Sequence, residues 1–151
     1  MEALKNTWSE VREATVNGLY CINLRSPEYR KRVLEILDKV ALEDDYRYVR
    51  VHALAYTAVI KYGCEKVERV LALISKFYSE ENIRGLVKFL DSDEPYFRQE
   101  AAWRLYRLCE ELDESFCRYL LKLIEDRYLC LRLIGFVLTG FTSAKKLRMF
   151  C

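Results

Sequence analysis

With 151 residues, 52% of them hydrophobic and 32% charged, the chain has the makings of one folded domain and is not a disordered segment. A net charge of +2 supplies no field that would draw it as a whole onto nucleic acid or an anionic membrane. Five glycines and two prolines leave little material for turn-rich β architecture, and there is no uncharged apolar run of about 18 residues to span a membrane.

The first helix is expected over Glu2–Tyr20, with Leu4, Trp8, Val11, Thr15 and Leu19 on one stripe. Ser26-Pro27-Glu28 reads as a helix start: a capping hydroxyl, a proline at the first helical position, then an acid at the positive end of the dipole. That second helix carries Val33, Leu34, Ile36, Leu37 and Val40 and ends near Leu42. Glu43-Asp44-Asp45 caps a third, Tyr46–Tyr62, which Gly63 terminates. Apolar residues surround most of this helix, so it should be buried from two sides.

A fourth helix is expected over Glu65–Tyr78, and Ser79 should cap a short fifth one reaching Leu90. Asp91-Ser92-Asp93-Glu94-Pro95 is a turn and restart. The sixth helix follows over Pro95–Glu111, the seventh from Asp113 or Ser115 to Glu125, and the eighth over Arg127–Phe141. Residues 142–151 form a basic tail.

A phrase recurs along this series: an arginine after a mostly apolar residue, with a small residue three positions later. Its copies are Val11-Arg12…Thr15, Val49-Arg50…Ala53, Phe97-Arg98…Ala101 and Leu131-Arg132…Gly135, the arginines being 38, 48 and 34 residues apart. Repetition at such a period marks stacked helical hairpins, because one hairpin cannot bury its apolar face alone. The long middle interval is accounted for by the fourth helix, an extra element between repeats.

An acidic inter-helix turn followed five residues later by arginine and then a small residue resembles the pattern of HEAT-repeat proteins. Asp45…Arg50…Ala53 and Asp93…Arg98…Ala101 carry the resemblance, which covers residues 43–141 better than 1–42. Arg12 has Asn6 upstream in place of an acid, and Arg132 has Asp126 six residues back. The resemblance implies one all-α domain over 1–151, a right-handed α-α superhelix of about eight helices. It also implies that Asp45, Arg50, Asp93, Arg98 and Arg132 form a stacking ladder, and that the protein is a binding scaffold.

The repeat register points to a face that could bind. Opposite the core stripe of the sixth helix lie Tyr96, Glu100, Trp103 and Arg107, and the corresponding stripe of the third holds Tyr48 and His52, with Tyr56 alongside. Tyr, Trp and Arg are the residue types that dominate binding hot spots, so a non-catalytic protein-interaction module is expected. The alternative is a small nucleic-acid-binding protein with a Tyr/Arg-lined groove, drawn from Tyr46-Arg47-Tyr48-Val49-Arg50, Arg104-Leu105-Tyr106-Arg107 and Arg118-Tyr119. His52 is the chain's single histidine and its nearest expected acid is Glu100; no nucleophile is placed beside it, so no catalytic set is assigned.

The eighth helix is apolar on every face apart from Arg132, and something must cover it. Either the tail folds back through Leu147, Met149 and Phe150, or a second copy makes a homodimer over 128–141. The six cysteines include no C-x-x-C pair, so no metal or other cofactor is expected. Most read as small core hydrophobes, with a Cys109–Cys117 disulfide geometrically open. A single glutamine amid abundant Glu, Lys, Arg and Tyr is a bias common in thermophilic proteins. The amino terminus carries no basic stretch leading into an apolar core, so a cytoplasmic, membrane-free protein is expected.

Overall fold

The computed structural model describes residues 2–108 and 117–137, and its regular elements are helical throughout, with no strand among the described residues. Among the described residues there are eight α-helices: α1 Ser9–Arg25, α2 Arg30–Glu43, α3 Arg47–Tyr62, α4 Cys64–Ser79, α5 Ile83–Lys88, α6 Pro95–Arg107, α7 Cys117–Ile124 and α8 over 129–137. The chain divides into two compact units, Met1–Val67 and Glu68–Cys151. The sequence positions expected at 109–116 and 138–151, including Cys109, the ends of the sixth and eighth helices and the tail anchors, lie outside the described residues. So does the side chain of Cys117.

In the first unit, α3 packs on both α1 and α2. It buries Val49, Ala53, Leu54, Ala58 and Ile60, the two-sided burial its composition predicts. At its end the Gly63 N–H donates to Val59 O at 2.8 Å while Gly63 takes φ 83°, a conformation that L side chains resist. Arg30 Nη2 reaches another carbonyl of that end, Ile60 O, at 2.6 Å, where the dipole favours a cation.

The first helix departs from expectation. A 3₁₀ turn covers Glu2–Lys5 and α1 begins only at Ser9. Asn6 makes the break, because its Oδ1 accepts from the Trp8 N–H at 2.9 Å and closes an Asx turn. The restarted helix buries Arg12 and Val16, so Trp8 is 70% exposed and Val11 40%. The expected stripe through Trp8 and Val11 therefore faces solvent, and the core register is one residue later. Ser26 likewise makes no side-chain cap, and a 3₁₀ turn at Pro27–Tyr29 precedes α2.

In the second unit, Asn82 and not Ser79 caps α5, accepting from Gly85 N at 2.9 Å. Ser79 belongs to α4 and turns its hydroxyl back to Lys76 O. Pro95 stands at the first position of α6, as expected, and α6 buries Phe97, Ala101, Ala102 and Leu105. Leu120, Leu123, Leu131 and Ile134 form the core contributed by α7 and α8. Cys130 is buried as a core hydrophobe, whereas Cys21 and Cys64 are exposed and do not follow the core reading.

Beneath the arginine phrases lies a four-part local device. Six residues before each arginine stands Asn6, Asp44, Ser92 or Asp126. Each caps the N–H two positions on, that of Trp8 at 2.9 Å, Tyr46 at 2.9 Å, Glu94 at 3.2 Å and Tyr128 at 3.0 Å. Each arginine then donates Nη1 to the carbonyl of that same residue: Arg12 to Asn6 at 2.8 Å, Arg50 to Asp44 at 2.5 Å, Arg98 to Ser92 at 2.7 Å and Arg132 to Asp126 at 3.1 Å. The turn is thus closed from both sides, its N–H by the side chain and its carbonyl by the guanidinium.

Two of the arginines also reach the next turn. Arg12 Nε and Nη2 lie 2.8 and 3.1 Å from the two Asp44 carboxylate oxygens. Arg98 Nε and Nη2 both lie 2.8 Å from Asp126 Oδ2. The ladder carboxylates are therefore Asp44 and Asp126. Asp45 touches Arg12 as well, but its side chain is 88% exposed, and Ser92 holds the turn where Asp93 was expected. The register is six residues because the capping side chain must stand two positions ahead of the first helical turn that the arginine spans.

Candidate binding faces

On α3, Tyr48, His52 and Tyr56 lie one turn apart, and α1 supplies their neighbours. Tyr48 is 57% exposed, its ring 5.6 Å from that of Tyr46. His52 Nδ1 lies 3.0 Å from Glu13 Oε1, so the acid beside the histidine is Glu13 and not Glu100. Tyr56 stacks on Tyr20 with ring centroids 4.7 Å apart, and the Tyr20 hydroxyl lies 3.9 Å from Cys64 Sγ. The Cys64 contact, followed by burial, holds the Tyr20 phenol above its ordinary pKa. Glu13 and Tyr20 are separated by seven residues, hence on one face of α1. That spacing is legible in the sequence, but the stripe rested on α3 and α6 alone.

The second unit carries Tyr96, Glu100, Trp103 and Arg107 on α6. Glu100 pairs with Arg104 at 2.5 Å, and Arg104 Nη2 also reaches Ser75 Oγ on α4 at 3.2 Å. Trp103 stacks on Tyr106 at 5.3 Å and is half-buried, while Arg107 is exposed. Tyr96, Glu100 and Trp103 are thus engaged within their own unit, as Tyr56 is in the first. Tyr46 and Tyr48 remain the more open rings.

Burial, reinforced by the Glu100 charge and opposed by that of Arg104, pushes the Tyr96 phenol up to about 12. A raised pKa favours the neutral form in the folded protein. Its stabilisation is complete below the ordinary tyrosine value of about 10 and is lost as pH rises from there to about 12. Alkaline titration of phenolate absorbance should therefore lose a component near pH 12 in Tyr96→Phe. A component lost near pH 10 would contradict the burial of this ring.

Several arginines that interleave with tyrosines already have partners. Arg50 is 3% exposed and bound to Asp44 O, and Arg104 is held by Glu100. A groove of about 590 Å³ lies between the first 3₁₀ turn and α2, with Leu4, Ile36 and Val40 among charges of alternating sign. Among the described residues no cluster of three or more His, Cys, Asp or Glu could hold a metal. Nor is any helix among them long and apolar enough to cross a membrane. Comparison with protein families, characterised proteins and solved structures found no match to this chain.

Proposed function

We propose that this chain is a non-catalytic, HEAT-like interaction scaffold whose first unit offers the Tyr46–Tyr48 end of α3 to a protein partner. The observation that carries the reading is the exposure of this ring pair: Tyr48 is 57% and Tyr46 42% exposed, on a helix otherwise fixed by buried neighbours. Two rigid rings on a rigid helix supply contact area at little entropic cost. The four-fold turn device supports a scaffold, since it spends its polar groups on positioning helices. Nucleic acid is the weaker reading, because Arg50, Arg98 and Arg104 are taken up by acceptors within the chain.

A photo-crosslinking residue at position 48 would trap the partner in host cells, after which affinity is measured with purified components. Tyr48→Ala should weaken that complex at least about tenfold, in the range of a hot-spot truncation, with an unchanged melting curve. Tyr56→Ala, which unstacks Tyr20, should instead lower the melting temperature. A partner bound equally well by wild type and Tyr48→Ala would overturn the assignment of this face.

A further inference from the structure

Tyrosine rings elsewhere in this chain are covered by its own cations. Lys66 Nζ stands 4.8 Å from the centre of the Tyr62 ring, and the Arg127 guanidinium carbon 5.2 Å from that of Tyr128. The Tyr46 and Tyr48 rings lie 5.6 Å apart, and among the described residues no cation stands over either. Carboxylates flank this pair instead. Asp45, almost fully exposed, directly precedes Tyr46, and the partly exposed Glu13 meets His52, one turn beyond Tyr48. Four residues of α-helix rise only about 6 Å, so one planar cation can lie on the Tyr48 ring and still reach the Glu13 carboxylate.

The cations beneath this end are already spent. Arg12 and Arg50 are buried, the first on the Asp44 carboxylate and the second on the Asp44 carbonyl. Arg47, half-buried, is engaged within the chain. What this end presents outward is therefore aromatic and anionic. Resting on the reading of the Tyr46–Tyr48 end as the binding face, we infer that it selects an arginine of the protein partner, carried in a basic segment. The guanidinium lies over the Tyr48 ring and gives its N–H groups to Glu13, while Asp45 attracts the positive charge beside it. Arginine fits better than lysine, because its planar fork stacks on a ring and bonds a carboxylate at the same time. The same carboxylates repel phosphate, which sets this face against nucleic acid.

The probes are short glycine–serine peptides bearing paired arginines, paired citrullines or paired leucines, titrated into the isotope-labelled full chain and followed by NMR. The arginine peptide should shift the amides around Tyr48 and Glu13. It should bind about threefold or more tightly than the citrulline peptide, its neutral isostere, and the difference should shrink as salt rises. Tyr48→Leu keeps apolar area but loses the ring, and Glu13→Gln keeps an acceptor for His52. Each should remove most of the arginine preference. If a variant proves unstable, the wild-type ratio of the arginine and citrulline peptides decides alone. Equal binding of those two, binding of neither, or a preference mapped elsewhere on the chain overturns the arginine assignment. The leucine peptide separates that failure from failure of the face itself. Leucine bound at Tyr48 without any arginine preference would leave the face in place and make its partner apolar. A crosslinked partner indifferent to Tyr48→Ala would remove the face, and the arginine with it.

Discussion

Replacing Arg12 by methionine is expected to destabilise the protein by about 2–3 kcal/mol, a fall in melting temperature of roughly 5–15 °C. Arg12 is 6% exposed, yet its guanidinium serves Asp44 through two nitrogens and the carbonyls of Asn6 and Thr7 at 2.8 and 3.2 Å. Methionine fills much of the same volume but leaves the Asp44 carboxylate, 6% exposed, without its counter-charge. The loss stays below that of a deeply buried pair, because Asp45, 88% exposed, keeps water close to the site. Arg50→Met sets the comparison. Arg50 donates to a single carbonyl and its Nε is already without a partner, so this change should cost about 1 kcal/mol or less. Equal losses in the two variants, measured by denaturant unfolding, would mean that the Asp44 bridge contributes nothing.

The contrast between Arg12 and Arg50 also shows what the sequence reveals and what it withholds. Four similar phrases at a 34–48-residue spacing announce helical hairpins, and the helices they open are all present. Yet Asp45 and Asp93, the acids five residues before Arg50 and Arg98, are not the groups those arginines bind. The working residue stands six before, where Asn6 and Ser92 serve the turn as well as Asp44 and Asp126 do. An Asx turn needs only a side-chain acceptor, so its signature is broader than a search for carboxylates, whereas bridging to the previous arginine does need charge. That distinction separates turn-forming copies from ladder-forming ones, and a list of acidic residues blurs it. The same Asx turn at Asn6 resets the phase of α1, which is why a stripe drawn from Leu4 through Trp8 misses the core. For the binding faces, periodicity placed Tyr48, His52 and Tyr56 on one stripe. Their neighbours Glu13 and Tyr20 come from α1, and helix-to-helix rotation is not encoded in the period of either helix alone.

Gly135→Ala should destabilise the second unit by about 2 kcal/mol, although alanine is the better helix former by about 1 kcal/mol. The sign turns on how closely α8 approaches α7. A Cβ at position 135 would stand 2.8 Å from Ile124 N, 2.9 Å from Leu123 Cβ and 3.0 Å from Leu123 C. Two of those atoms are backbone and cannot rotate aside, so α8 must move off α7 and loosen the contacts of Leu123, Leu131 and Ile134. The small residue of the fourth phrase is therefore an inter-helix contact, as the equivalent Ala101, fully buried on α6, is in its own copy. Gly18 supplies the control. It lies within α1 with nothing inside 4 Å of its would-be Cβ, so Gly18→Ala should stabilise by about 1 kcal/mol through helix propensity alone. Opposite signs for the two substitutions in chemical denaturation are expected. A stabilising Gly135→Ala would show that α7 and α8 do not pack at this distance, and the Arg98–Asp126 bridge, which needs the α7–α8 turn held in place, would lose its support.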